Sequence, residues 1–220
     1  MSFITRTALV SDIQGIGRAA KIGPRELEVL GYDKQARKVY VLEHAQDDLS
    51  KLPQLLSISA HGWLAGRTTP VHSYYLGDPY HLEEQFHERL QELRDRLLPM
   101  FQVGTDNFQM RTRVTKRRAV RIDPDAAPVR RYDLRVTVRP AASGKVVHMG
   151  ARKTVTAYLR PRVRLVDVWA HPALQFAIAV VSYVGVPYQL GYDRQTAIYL
   201  PLTSHHMASG LPTAGLRNTD

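Results

Sequence analysis

The stretch Arg131-Tyr132-Asp133-Leu134-Arg135-Val136-Thr137-Val138-Arg139 decides the class of this fold. Apolar and polar residues alternate strictly along it. A period of two places Tyr132, Leu134, Val136 and Val138 on one side of a strand and the arginines on the other. That is the pattern of an antiparallel sheet with one dry face and one wet face. The pattern returns downstream, where Val155, Ala157, Leu159, Val163 and Leu165 alternate with Thr154, Thr156, Tyr158, Arg160, Arg162 and Arg164. Upstream, Met110, Thr112 and Val114 alternate with Arg111 and Arg113. Pro161 has no N–H to give a ladder and marks an edge strand or a bulge.

Outward from this core the chain reads mostly as strand. Phe176–Val184 is apolar on both faces, and Ile178, Val180, Val181 and Val184 are β-branched. A strand of that composition is buried on both sides, in mid-core or beneath a helix; a short buried helix is the alternative, because periodicity alone does not separate the two. Leu27–Leu30 and Val39–Glu43 flank the turn cluster Gly31-Tyr32-Asp33-Lys34-Gln35 and read as a hairpin. Phe3–Val10, Gln54–Ala60 and Val71–Tyr75 read as further short strands. The turn cluster has an echo in Gly191-Tyr192-Asp193-Arg194-Gln195, which suggests either a second hairpin of the same role or a coincidence of turn chemistry.

One helix interrupts the strands. Asp78 suits an N-cap, Pro79 the first helical position, and Glu83 and Glu84 the positive end of the dipole. Leu82, Phe86, Leu90, Leu93 and Leu97 recur every three or four residues as one apolar stripe, Glu92 and Arg96 make an i,i+4 pair, and Pro99 ends the element. The expected fold is therefore a β-rich α+β one, with mostly antiparallel sheets and one prominent amphipathic helix at about 79–98. We read residues 1–203 as a single β-rich domain. The alternative division is two lobes, 1–77 and 102–203, joined by helix 78–101. Residues 204–220 are small and polar and read as a disordered tail.

The chain has 220 residues, enough for a substantial core, and no cysteine. Disulfides, thiolate metal sites and cysteine nucleophiles are excluded. The first ten residues lack a basic stretch followed by an apolar one. The longest apolar run, Ala173 to Val186, is broken by Gln175 and Ser182 and falls short of the roughly 20 residues of a spanning helix. The expectation is a soluble cytoplasmic protein with no membrane partner.

Charge is the distinctive feature. The formal net charge is +10, from 30 basic and 20 acidic residues. Residues 111–164 hold 16 of those basic residues and only three acids (Asp123, Asp125 and Asp133), a local net of +13 against −3 for the rest. The strand alternation turns many of these arginines outward. Arg111, Arg113, Arg131, Arg135, Arg139, Arg160, Arg162 and Arg164 are accordingly the candidate binding residues, on a sheet face suited to an acidic partner.

No motif carries catalysis. Gly15-Ile16-Gly17-Arg18-Ala19-Ala20 matches the spacing of a dinucleotide fingerprint, but Gly23-Pro24 would stop the helix it must open, so it reads as a glycine turn. Ser143-Gly144-Lys145 lacks the first glycine and the last hydroxyl of a phosphate loop and reads as a β-turn. His44, His61, His72, His81 and His87 cluster near acids, and Glu84 and His87 share one helix face. A two-metal carboxylate site would need a second such pair on another helix. Asp47-Asp48 reads as a polar hairpin end, His148 as an ordinary strand residue, and Trp63 and Trp169 as core or interface anchors.

These readings give no cofactor and no catalytic residue. They point to a non-enzymatic interaction or assembly protein whose arginine-rich face meets an acidic protein surface, including that of a second copy. Two alternatives stand beside it. One is sequence-nonspecific contact with a nucleic-acid backbone, for which the segment offers only Tyr132 and Tyr158 as aromatics. The other is a metal- or histidine-dependent enzyme on an anionic substrate, using His72, His81 or His87.

Overall fold

A computed structural model of the chain describes residues 25–45, 52–78, 80–121, 127–141, 150–186 and 192–202. The expected strand at Phe3–Val10, the glycine pattern at 15–20, Asp47-Asp48, the turn at 143–145, His148 and the tail 204–220 lie outside these residues. The fold is β-rich α+β. Among the described residues eleven strands run in chain order: β1 (Arg25–Asp33), β2 (Lys38–Ala45), β3 (Gln54–Ser59), β4 (Thr68–Pro70), β5 (Phe101–Val103), β6 (Phe108–Val120), β7 (Val129–Pro140), β8 (Ala151–Tyr158), β9 (Val163–Ala170), β10 (Phe176–Val186) and β11 (Tyr192–Pro201). One α-helix, α1 (Leu82–Arg96), lies between β4 and β5.

Eight strands form a sheet in the order β4-β3-β2-β1-β11-β10-β9-β5, and three form a second sheet, β6-β7-β8. Every pairing is antiparallel except β1 with β11, a parallel contact at the single register Arg25↔Arg194. The large sheet thus takes strands from both sides of the helix in sequence.

The buried clusters give the layer order. Val29, Val39, Val41 and Ile58 of the β1–β3 half pack with Ile178 and Val180 of β10. Ala177, Ala179 and Val181, on the other face of β10, pack with Leu134, Val136, Val138, Val155 and Ala157 of the small sheet. Tyr40, Leu42 and Leu55, on the outer face of β2 and β3, pack with Phe86, Leu90, Leu93 and Leu97 of the helix segment. The order is helix, β1–β4, β9–β11, then β6–β8. This explains the two-faced apolar run of β10, which lies in mid-core between the β1–β3 part of its own sheet and the small sheet, while the helix covers β2 and β3. Each fully buried Leu or Phe of the α1 stripe contributes roughly 2 kcal/mol of transfer free energy.

Four expectations need correction. Val71–Tyr75 is not a strand: His72–Tyr75 is a 3₁₀ turn. The places beside β3 are taken by β2 on one side and β4 on the other, and this segment follows β4 without pairing to a strand. It instead brings the Tyr75 ring onto Phe86 at 5.4 Å. The Tyr75 hydroxyl accepts from the Leu55 N–H at 2.5 Å and donates to the Pro53 carbonyl at 2.6 Å, and burial pushes its pKa up to about 12.

Second, Asp78 does not cap the helix. Its carboxylate accepts from the Tyr80 N–H at 3.0 Å in a local turn, and α1 starts at Leu82 and ends at Arg96 rather than near 98. Arg96 reaches across to Asp33, with Nε 3.4 Å from the carboxylate.

Third, the run from Val155 to Leu165 is two strands in different sheets. Leu159 is exposed with φ +63°, and the chain crosses layers through 159–162, around Pro161. Fourth, β6 is not half-buried beyond Met110: Arg111 to Ala119 are all exposed, Val114 included. The strand overhangs the core as the outer edge of its sheet. The two Gly-Tyr-Asp echoes also differ in place. Asp33 closes the β1–β2 turn by accepting from the Gln35 and Ala36 N–H groups, both at 2.9 Å, whereas Asp193 lies within β11 opposite Val184.

Candidate partner-binding site

Register decides which arginines share a face. On β7 the even residues Tyr132 to Val138 are buried, so Arg131, Asp133, Arg135, Thr137 and Arg139 point away from the core. Directly opposite them on β6 lie Arg118, Lys116, Arg113, Arg111 and Gln109, in that order. On β8 the partners are Tyr158, Thr156, Thr154 and Arg152. One sheet face therefore carries Arg111, Arg113, Lys116, Arg118, Arg131, Arg135, Arg139 and Arg152, with Asp133 as its one acid among the described residues.

Of the eight candidates read from the sequence, Arg111, Arg113, Arg131, Arg135 and Arg139 come together here. Arg160 and Arg162 are exposed in the connection after β8. Arg164 does not belong to the face: it lies on β9 of the other sheet and pairs with Asp193, Nη2 to Oδ2 at 2.7 Å. The sequence reading missed Lys116 and Arg118 because of a bulge. The β6–β7 register slips by one residue between Val114 and Lys116, with Thr115 inserted and its hydroxyl donating to the Asp133 carbonyl at 2.8 Å. That insertion turns two even-numbered cations onto the side held by odd-numbered ones. Arg152 was legible, since it shares parity with Thr154 and Thr156.

The electrostatics are one-sided. Arg113 faces Arg135 and Arg118 faces Arg131 across the ladder, and like charges at directly opposed positions are destabilising. Along each strand these side chains repeat about every 7 Å, and strands lie about 5 Å apart. Asp133 offsets part of this, with Arg131 Nε 3.4 Å from its Oδ1, and it also accepts from Thr156 at 3.2 Å. Arg139 donates to Gln109 at 2.8 Å. Arg117 turns to the opposite side, over the Tyr132 ring at 5.8 Å.

The histidines are dispersed. His72, His81 and His87 are exposed, His81 lies 3.8 Å from Glu84, and His87 meets the Phe86 ring edge-on. His44 sits 3.0 Å from Glu28 on β1. Among the described residues no three His, Asp or Glu side chains gather as metal ligands. Trp63 is 91% exposed, which removes it from the core, while Trp169 packs partly buried against the cluster under β10. No helix among the described residues is long and apolar enough to cross a membrane. Comparison with protein-family models, with curated proteins and with solved structures finds no match to this chain.

Proposed function

We propose that this chain is a non-enzymatic interaction protein whose β6–β7–β8 face docks an acidic protein segment. The observation that carries the reading is the gathering, among the described residues, of eight cations and one acid on a single sheet face. Two like-charged cross-strand pairs cost folding stability, and a carboxylate-rich partner relieves that cost. Arginine favours this use, because its planar guanidinium pairs with carboxylates through two parallel hydrogen bonds. The 13-residue edge strand β6 borders the same face and has no strand on its outer side among the described residues. An extended segment added there gains main-chain hydrogen bonds as well as charge contacts. The basic residues of β6 discourage pairing with a second β6, so the edge selects against its own copy and for an acidic strand.

A second reading is sequence-nonspecific contact with a nucleic-acid backbone. The arginine density favours it, while among the described residues the face offers only the half-buried Tyr158 for stacking. Fluorescence anisotropy separates the two, with a labelled peptide of alternating Glu and Thr, mixed-sequence single- and double-stranded DNA, and RNA, each at two salt concentrations. We expect saturable peptide binding, lost in the double variant Arg113→Glu/Arg135→Glu. Binding of the nucleic acids with a steep salt dependence, and none of the peptide, would move the assignment to the second reading. No binding of either at low salt overturns both.

A further inference from the structure

β1 and β11 touch at one register position and then diverge, leaving a wedge in the large sheet. A cavity of about 360 Å³ occupies it, with Leu27, Val41 and Leu56 on one wall and Tyr183, Arg194 and Lys153 on the other. That volume is typical of a small-molecule site. Lys153 enters from β8. It shares parity with the buried Val155 and Ala157, so it points inward, away from Arg152 and the basic face.

The polar groups are unbalanced. Lys153 Nζ donates to the Ala197 carbonyl at 2.7 Å, and among the described residues no carboxylate pairs with it. The charge that bears on it most is Arg194, another cation; burial and that guanidinium together pull its pKa down to about 8. Arg194 itself is engaged, donating Nε and Nη2 to Glu43 Oε1 at 3.2 and 3.1 Å. The nearly inaccessible Tyr183 ring lies by the same pair, and its hydroxyl makes no hydrogen bond among the described residues. Among the described residues, two cations and one carboxylate thus face a cavity with a phenol beside them. An ammonium half-removed from water and held by one carbonyl is costly, and the ordinary remedy is an anionic partner. Leu27, Val41 and Leu56 offer such a partner an apolar surface.

We propose that this cavity binds a small organic acid, its carboxylate on Lys153 beside Arg194 and its apolar body against Leu27, Val41 and Leu56. The site is separate from the basic sheet face, and neither assignment depends on the other. A neutral or cationic molecule of the same shape leaves Lys153 unpaired, so discrimination rests on the head group.

The test uses hexanoate, hexanol and hexylammonium at pH 7, where Lys153 carries its proton. Thermal unfolding follows binding, and NMR follows the Lys153 side chain. Hexanoate should raise the unfolding temperature saturably and move the Lys153 titration above its value in the free protein, while the other two do neither. Lys153→Met should weaken hexanoate binding roughly tenfold or more, the loss of a charge-assisted hydrogen bond. Arg113→Glu/Arg135→Glu should leave hexanoate binding unchanged. Equal response to hexanol, undiminished binding in Lys153→Met, loss of binding in the face variant, or no saturable response to hexanoate would each overturn the proposal.

Discussion

Replacing Lys153 with methionine should make the protein more stable at neutral pH. Lys153 titrates at about 8 in the fold against 10.5 for an unperturbed lysine. Between those values the unfolded chain holds a proton that the folded chain has released. Stability therefore rises with pH through this window, and below it the folded state carries the full penalty. A shift of about 2.5 pH units corresponds to about 3 kcal/mol. Methionine keeps the apolar stem and removes the charge, but it leaves the Ala197 carbonyl without its donor, a loss of about 1 kcal/mol. The net expectation is a gain of about 2 kcal/mol at pH 7, shrinking as pH rises and turning into a loss of about 1 kcal/mol above the lysine's unfolded pKa. Tyr40, Tyr74, Tyr75, Tyr183 and Tyr199 all have raised pKa values, chiefly from burial, so both proteins lose stability in strong base as the unfolded chain ionises first. The difference between the two proteins largely removes that common trend. Urea unfolding at a series of pH values, read by tryptophan fluorescence with the half-buried Trp169 as reporter, measures the crossing. A variant less stable at pH 7, or a difference that does not change with pH, would refute the picture of a strained internal cation.

Other consequences concern the frame. Gly31 has φ +149°, and a Cβ there would lie 2.8 Å from the Leu98 carbonyl oxygen and 3.0 Å from Leu97 Cβ, so Gly31→Ala should lower stability by about 2 kcal/mol in chemical unfolding. Tyr75→Phe removes both hydrogen bonds that tie the 3₁₀ turn to β3 and should cost about 1–3 kcal/mol, with faster hydrogen exchange at the Leu55 amide. Leu93 is fully buried between α1 and β2–β3, and Leu93→Ala should cost about 2–5 kcal/mol, with exchange rising first in α1 while the amides of β7 stay protected.

Much of the frame was legible because burial in a strand is a local property of the chain. The alternation around Leu134 named the buried residues of β7, and the two-faced run at Ile178 named a central strand. The stripe from Phe86 to Leu97 named the helix face. Its start was misplaced because Asp78 spends its carboxylate on the Tyr80 amide, a choice made by turn geometry rather than by residue type. Val71–Tyr75 misled for a related reason: the place beside β3 is filled by β4, and the Tyr75 hydroxyl ties the segment to Leu55 and Pro53 as a 3₁₀ turn instead.

The sequence by itself determined that this is a β-rich chain with an amphipathic helix after its first strands, and that its excess positive charge is concentrated in residues 111–164, much of it alternating with apolar residues. Those facts depend on periods of two and 3.6, which every short segment carries within itself. Only the tertiary structure decided which strands are neighbours, because pairing joins residues far apart in the chain. The Thr115 bulge brought Lys116 and Arg118 onto the basic face, and the layer crossing after Tyr158 put Arg164 on another sheet. The divergence of β1 from β11 opened the wedge into which Lys153 points. Sequence distance hides such a site: residues 43, 153 and 194 share one cavity because two sheets and a broken ladder meet there.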